Sequence, residues 1–548
     1  MLRISFLGGL GDFGKNMTLF EHDGRILVVD CGSMFPESDS PGVDLIIPDF
    51  SYLQERRDAI EGLVLTHGHE DHIGGAPFLL NEFPMPLVGT PITLGLLGRK
   101  LNEHGIHPPS IAHLEPGKPV SLGPFSIEGI PVTHSIPGAV SLLIDTPDGR
   151  ILHSGDFKLD QAPLDGRLTH YHRFHEAGQS GVMALLIDST NVEVEGVVGS
   201  EVRVRDTLER YVARQSGKLF ISLFSTNLMR VQAIYDLAAQ YGKKVALFGR
   251  SLVENVAVGE SAGYLHIPEW VRIGADDLPR YRRDEIIVLT SGSQAEPFSA
   301  LSRIAFDENK HFFVEEGDLL ILSARIIPGN EKRVARVINQ VYRNGGEAVT
   351  QRDDRVHVSG HAAQEELRLL ASWVHADYYV PVHGEFRQLK GNAKLAQQMG
   401  YAPERILMAG MGDSLLFENG RFTAKEEVPT GSVLIDGDTA DPVDRVVVRD
   451  RRHLSTGGVV IPIVIINRQA CRLESEPEII AKGYAYLEAP NGLAKELREA
   501  LTALVREMPQ EEIRDGDILR AKVKSTVKRT LKRKEAGIPL ILPVVMEI

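Results

Sequence analysis

Along the first 195 residues, short apolar runs alternate with polar turns: LRISFLGG, GRILVVDCG, GLVLTHG, FSIEGIPVTH, VSLLIDT, RILHSGD and MALLIDST. Runs of this length, bounded by Gly, His, Asp or Ser, predict β-strands. Their polar C-terminal ends would gather in loops along one edge of a sheet layer, where a rigid scaffold can hold a site. From about 200 to 350 the period changes. SEVRVRDTLERYVARQ and NLMRVQAIYDLAAQYG read as helices, and KLFISLF, KKVALFG, EIIVLTSGS and DLLILSA as buried strands. In GNEKRVARVINQVYRNG, Val334, Val337, Ile338, Val341 and Tyr342 share one helical face, and Gly345–Gly346 stops the helix. Strand–helix alternation of this kind predicts a parallel sheet covered by helices.

After 350, HVSGHAAQEELRLLASWV reads as a loop entering an amphipathic helix, and YYVPVHGEF as a strand ending at His383. Residues 410–457 are rich in Gly and Asp and read as connecting structure. Beyond 458 a small α+β unit is predicted, with strands VVIPIVIIN and AKGYAYLE, a helix from Gly492 to Met508, and IPLILPVVMEI as a final strand. At 548 residues the chain is too long for one core, so two to four domains are expected.

Composition changes this picture little. No apolar stretch approaches the roughly 18–20 residues of a membrane span, so no membrane partner is expected. Two cysteines, Cys31 and Cys471, lie far apart, which argues against a disulfide framework and fits a cytoplasmic location. The net charge of −14, taken alone, argues against a polyanionic partner, but charge distribution matters more than the total. RAKVKSTVKRTLKRK (520–534) carries eight Lys or Arg and no acid. It reads as a solvated helix face, with a patch that touches nucleic-acid phosphates as the competing reading.

The candidate chemistry sits in LTHGHEDHIGG (65–75), where His67, His69, Asp71 and His72 follow an apolar strand. In extended backbone His67 and His69 point the same way, and Asp71 and His72 project from the first turn of a following helix. That arrangement supplies two metal positions about 3.5–4 Å apart, the geometry of two-metal hydrolysis. A mixed nitrogen and oxygen ligand set suits Zn²⁺, with Mn²⁺ or Fe²⁺ as alternatives. Completing the coordination needs another His and a bridging carboxylate. His134 in PVTHSIPG and Asp156 in HSGDFK stand at strand ends, and Asp30 in VVDCG can orient a ligand from behind.

HGHEDH with downstream His134 and Asp156 resembles the metallo-β-lactamase superfamily, whose fold is a four-layer αβ/βα sandwich. The resemblance implies that His67, His69 and His134 hold one metal and Asp71 and His72 the other. Asp156 would bridge them, with a hydroxide between the metals as nucleophile. Asp188 (LLIDSTN), His361 (HVSGHA) and His383 (VPVHGEF) match in order the three motifs of the β-CASP nucleases, which insert a domain into that core. GGLGDFGKNM, FSTNLMRVQ, GRS, TSGSQAEP, IPGNE and the C-terminal ILPVVMEI extend the likeness to the bacterial RNase J family. Two departures are Ala295, where a Gly is expected, and Arg325, where a small polar residue is expected.

The resemblance implies an α/β chain with a metallo-β-lactamase core at 1–197 and 351–425 and a β-CASP parallel-sheet domain inserted at 198–350. A linker at 426–460 and a C-terminal α+β domain at 461–548 would follow. It implies His383 as a further metal ligand. His361 becomes the general acid for the leaving 3′-oxygen, and Asp188 orients His383 or moves a proton; Asp156 is counted with them as catalytic. His357, Val358, Ser359, Gly360 and His361 would contact substrate. So would Ser225, Asn227, Arg250, Ser291, Gly292 and Ser293, with Arg230, Arg325 and Lys332 tracking the backbone. The expected activity is a two-metal ribonuclease on single-stranded RNA, 5′→3′ exonucleolytic on 5′-monophosphate ends with endonuclease action besides, in RNA decay and maturation. A homodimer or higher homo-oligomer is expected. A small-molecule thioesterase or lactonase, and a catalytically silent RNA-binding subunit, are the competing readings. PESDSPGVDLIIPD (36–49) and LIDGDTADPVD (434–444) add an expectation of structural Ca²⁺, against solvated turns.

Overall fold

The computed structural model describes every residue except 37–39, 328, 438–440, 489–491 and 534–537, and leaves out the side chain at 488. The chain divides into two compact units, Met1–Met34 with Ile47–Ser432, and Phe35–Ile46 with Val433–Ile548.

In the first unit an eight-stranded sheet runs in the order Arg421–Glu427, Asp413–Glu418, Leu2–Gly8, Met17–His22, Arg25–Val29, Ile60–Val64, Leu87–Gly89, Ile111–His113. A six-stranded sheet runs Tyr378–Val382, Ala184–Asp188, Gly149–His153, Val140–Thr146, Phe125–Pro131, Val120–Leu122. Ile4, Phe6, Leu27 and Val64 from the first pack on Leu142, Ile151, Leu186 and Val380 from the second. The opposite face of the second sheet turns Leu143, Leu152, Leu185 and Tyr379 towards Phe174, Leu367, Leu370 and Ala396 of helices Tyr171–Gln179, Gln364–Val374 and Phe386–Gln398. The alternation of strand faces thus makes the inner layers, and helices close the sandwich.

Between Asp188 and Tyr378 the chain leaves to build its own sheet. Arg272–Ile273, Lys244–Phe248, Ile286–Thr290, Leu219–Ser222, Leu319–Leu322 and Glu347–Val349 lie side by side in that order, and every pairing is parallel. Helix Glu331–Arg343 covers it with Val334, Val337 and Val341, while Ile338 is half-buried and Tyr342 turns outwards.

Two stretches differ from expectation. Residues 410–457 are not merely connecting: Asp413–Glu418 and Arg421–Glu427 complete the edge of the large sheet, pairing through Leu2–Gly8. Within 426–460, Ser432–Asp436 is a strand and Arg445–Gly457 a helix capped by Asp444. Gly and Asp there mark tight turns rather than a linker. The final run is two strands, Leu540–Ile541 and Val544–Glu547, because Pro543 has no N–H to continue a ladder.

In the second unit, Val459–Asn467 is flanked by Glu478–Lys482 and by the two C-terminal strands. Helices Leu493–Glu507 and Gly516–Arg533 cover one face, burying Val460, Val464, Leu497, Leu501, Val523 and Val527. The acid-rich loops do not gather a cation site among the described residues. Asp436 pairs with Arg451 at 2.7 Å, Asp444 caps its helix, and Asp49 accepts from Ser51 N–H. Glu37, Asp39 and Asp438 lie outside the described residues. No helix among the described residues is long and apolar enough to cross a membrane.

Candidate metal centre

Strand Ile60–Val64 delivers Leu65 and Thr66 into the sandwich edge, and extended backbone at His69 leads into the one-turn helix Glu70–Ile73. Three backbone bonds pin that turn: Asn16 N–H to the Asp71 carbonyl, Cys31 N–H to that of His72, and Ser33 N–H to that of Glu70, each 2.9 Å. The approach is so close that a Cβ on Gly32 would stand 1.6 Å from the Asp71 carbonyl oxygen.

Seven side chains converge here as expected. His67, His69, His134 and Asp156 form one group, and Asp71, His72, Asp156 and His383 a second, with Asp156 common to both. His69 Nδ1 lies 3.1 Å from both His67 Nε2 and His134 Nε2. Asp156 Oδ2 stands 3.3 Å from His72 Nε2 and 3.4 Å from the Nε2 atoms of His67 and His383.

The surroundings fix the tautomers. His134 Nδ1–H donates to the Gly360 carbonyl at 2.7 Å, and His383 Nδ1–H to Asn16 Oδ1 at 2.8 Å. His72 Nδ1–H donates to Asp30 at 2.7 Å. Thr66 gives its hydroxyl proton to Asp30 at 2.8 Å, so its oxygen accepts from His67 Nδ1–H at 3.0 Å. In its neutral form, each of these four imidazoles presents a bare Nε2 to the centre. Asp30 and His383 hold left-handed backbone, φ 59° and 53°, a strained conformation that stays only where the surroundings enforce it.

Electrostatics divide the rings into two sets. Burial drives His67 and His134 well below the ordinary imidazole range, and His69 down to about 4. Burial acts against charge on Asp156 too, but the imidazoles of His383, His72 and His67 hold its carboxyl well below the usual range. Its Oδ1 is buried with no hydrogen-bond partner. Burial opposes charge on His72 and His383 as well, but Asp156 beside both rings raises them, so this buried carboxylate draws positive charge to itself, and a divalent cation would supply it. The residues fit divalent metal.

His361 belongs to a third group, with Asp156, Asp188 and His383, in a different setting. Its Nδ1 meets Asp188 Oδ2 at 2.8 Å and Asp156 Oδ2 at 3.9 Å. Burial lowers its pKa, but the facing carboxylates of Asp188 and Asp156 outweigh burial and raise it to about 9. Asp188 thus holds His361, while Asn16 orients His383; the alternative expectation that Asp188 orients His383 is corrected.

Several expected substrate contacts are engaged in structure. Asn227 caps helix Leu228–Gln240, accepting from Arg230 N–H. Ser225 accepts from Asn255 at 3.2 Å, and Ser293 and Val358 are buried. Ser359 Oγ accepts from His361 N–H, and the Gly360 carbonyl serves His134. His357, driven well down by burial and the nearby cations, accepts from the Arg230 guanidinium at 3.4 Å. Arg230 is itself 1% exposed and bidentate to Glu201 at 2.7 and 2.9 Å, so it cannot track a backbone. Arg250 is exposed but paired with Glu254 and Glu103; Arg325 and Lys332 are exposed. Ser291 and Gly292 line a loop packed so tightly that a Cβ on Gly249 would meet Ser291 Oγ at 2.1 Å. Ala295, where Gly was expected, adopts φ 54°, which explains the preference for Gly there.

Sequence reasoning missed three positioning residues. Asn16 links Asp71 and His383, and Gly9 makes room for it, since a Cβ there would meet Asn16 Oδ1 at 2.1 Å. Thr66 relays between Asp30 and His67. Glu366, 2% exposed, accepts from Leu159, Val198 and Ala363 N–H groups, tying together the segments that carry Asp156, the insertion and His361. Its signal was position: a Glu three residues into a helix, where it can cap.

Comparison with known proteins matches residues 10–191 to the metallo-beta-lactamase superfamily and 216–341 to the ribonuclease J beta-CASP domain. Residues 350–408 match the Zn-dependent metallo-hydrolase RNA specificity domain, and 446–548 the ribonuclease J C-terminal domain. The chain is 39% identical to ribonuclease J of Mycobacterium tuberculosis, covering 100% of this chain and 97% of that one. It is 37% identical to ribonuclease J of Thermus thermophilus, covering 99% and 94%, and 34% identical to ribonuclease J2 of Bacillus subtilis, covering 100% and 99%. A solved protein of unknown function from Enterococcus faecalis shares the fold at 18% identity and TM-score 0.53, covering 76% of this chain and 99% of that one.

Proposed function

The chain belongs to the ribonuclease J family and is a metal-dependent ribonuclease, and from that premise we propose how its residues divide the work and which RNA ends it prefers. The reading is 5′→3′ exonucleolytic hydrolysis of RNA starting from a 5′-monophosphate, with endonucleolytic cleavage besides. The observation that carries the division of labour is the His361–Asp188 contact of 2.8 Å, in which Asp188 takes up the His361 Nδ1 although both residues also adjoin the Asp156 shared by the two ligand groups.

His67, His69 and His134 would hold one divalent ion, and Asp71, His72 and His383 the other, with Asp156 between. Borderline nitrogen and oxygen donors favour Zn²⁺, with Mn²⁺ as the alternative. When bound, such ions neutralise phosphate oxygens and make a coordinated water more acidic. The chain's own residues do the rest. Asn16, Asp30, Thr66 and the Gly360 carbonyl keep the four imidazoles in the tautomer that presents bare Nε2 atoms. His361, with one N–H on Asp188, carries a second at Nε2 for the departing 3′-oxygen. As the P–O3′ bond breaks, that proton moves to the oxygen, and Asp188 stabilises the imidazolium before transfer. Hydrolysis in this sense leaves a 5′-phosphate on one product and a 3′-hydroxyl on the other.

The test compares 5′-monophosphate, 5′-triphosphate and 5′-hydroxyl RNA carrying labels at each end, with Zn²⁺, Mn²⁺ and Mg²⁺ supplied in turn. Preferred stepwise loss of mononucleotides from the monophosphate end is expected. No cleavage of any of them by metal-loaded protein sinks the reading and favours the catalytically silent RNA-binding alternative.

Self-association is part of the proposal. The uncovered face of the C-terminal sheet aligns Ile461 with Ile480, Ile463 with Val544 and Ile465 with Met546. Ile480, Val544 and Met546 are 41%, 38% and 51% exposed, an apolar patch suited to a second copy of the chain. Ile463→Glu should convert the oligomer to monomer in light scattering. A cytoplasmic location fits two free, buried cysteines.

A further inference from the structure

Helix Gly516–Arg533 buries Leu519, Val523, Thr526, Val527, Thr530 and Leu531 against the C-terminal core. Its other face carries Lys524, Lys528, Arg529, Lys532 and Arg533, all exposed. Among the described residues, the ion pairs of this helix are Arg520–Asp517 and Lys522–Glu512. Beyond Lys522 no described acid pairs with any of the five cations. Lys524, Lys528 and Lys532 form one i,i+4 row and Arg529 and Arg533 a second, a spacing at which like charges disfavour the helix. Lys532 and Arg533 find compensation in the helix C-terminal dipole, but Lys524, Lys528 and Arg529 do not. Ser525, Lys528, Arg529, Lys532 and Arg533 together form one open, solvent-facing stretch of the helix surface. A solvated face on a chain of net charge −14 has no need to gather unpaired cations in this way.

We propose that this face is an RNA-binding surface, engaging the phosphate backbone of single-stranded RNA through residues separate from the metal centre. Successive cations of a row rise about 6 Å along the helix, a step that an extended phosphate chain can follow. Contacts of this kind carry no sequence information, so the surface holds RNA without selecting it. The inference rests on the ribonuclease reading for its ligand class, and its test has an arm that does not depend on cleavage.

The full chain is compared with a variant in which Lys524, Lys528, Arg529, Lys532 and Arg533 are all changed to Gln, which keeps helix propensity and removes the repulsion. Binding of a fluorescent oligouridylate of roughly 40 nucleotides is followed by anisotropy in chelator across a KCl series. Each lost phosphate contact should flatten the logarithmic salt dependence by about 0.7, so five would remove roughly 3.5 from the slope. Affinity at low salt should fall at least tenfold. Cleavage of a 5′-monophosphorylated RNA of roughly 5 nucleotides should be unchanged, because it is too short to need a second surface. The smaller variant Lys528→Gln with Arg529→Gln should lose about 1.4 of the slope, which guards against misfolding of the fivefold change. Equal affinity and slope for all three proteins overturns the proposal. So does wild-type retention by phosphatidylserine vesicles that exceeds retention by RNA and disappears in the variant. Failure to cleave the short RNA by wild type and variant alike strikes the ribonuclease reading and leaves the binding arm to decide this one.

Discussion

Two loops meet at the metal centre, and they use their polar residues in opposite ways. In HGHEDH (67–72), four side chains of six point into the site, and the neighbouring backbone exists to hold them there. In HVSGH (357–361), only His361 faces the chemistry. His357 meets Arg230, Val358 is buried, Ser359 braces its own loop, and Gly360 contributes a carbonyl to His134. On the proposed reading, the first loop supplies ligands, and the second positions one proton donor and one ligand from behind. Residues of the same type at similar spacing therefore do different work, decided by what each ring's Nδ1 meets and by the charge beside it. Burial pushes His67 down, whereas Asp156 raises His72 and Asp188 raises His361.

The widest break in the comparison comes from single substitutions in each loop. His361→Ala should lower kcat by roughly 10²–10⁴-fold while metal content by mass spectrometry stays as in the wild type. His67→Ala should lose metal and activity together. If His361→Ala also sheds metal, His361 is a ligand and the contrast collapses. Asn16→Ala comes next. Freeing His383 and the Asp71 turn should weaken metal affinity about 10–100-fold, read by competition with a chromogenic chelator, with the fold intact.

Effects on stability sharpen the scaffold half. Glu366→Ala leaves two buried N–H groups and one partly buried one without a partner and should cost about 3 kcal/mol in denaturant unfolding. Glu366→Gln should recover part of that loss, since an amide oxygen still accepts. The smallest effect belongs to Asn227→Ala, which removes a helix cap worth about 1 kcal/mol and should leave KM for RNA unchanged. A raised KM with unaltered stability would return Asn227 to the substrate groove.

What could be read from the chain follows the same divide. The clustered side chains were legible because metal chemistry demands His and Asp at short spacing, and strand ends announced His134, Asp156 and His383. The parallel sheet was legible because buried strands and amphipathic helices alternate. The scaffold was not, because its partners are distant and its residues ordinary. Asn16 and His383 are 367 positions apart, and Glu366 reaches back 207 positions to Leu159. Arg230 looked like a groove cation, and only the fold brings Glu201 onto it. Asn227 looked like a phosphate contact, and its capping role depends on where the helix starts. Gly and Asp between 410 and 457 suggested a linker, yet two strands there finish the large sheet, since turn residues punctuate strands as readily as they fill loops.

The central claim is that His361 protonates the leaving oxygen, and replacing that oxygen tests it. A 3′-bridging sulfur leaves as a thiolate without needing a proton. With such an RNA, His361→Ala should cleave at close to the wild-type rate although it barely cleaves the normal phosphodiester. An equal loss on both substrates would contradict the account and make His361 a structural or ligand residue.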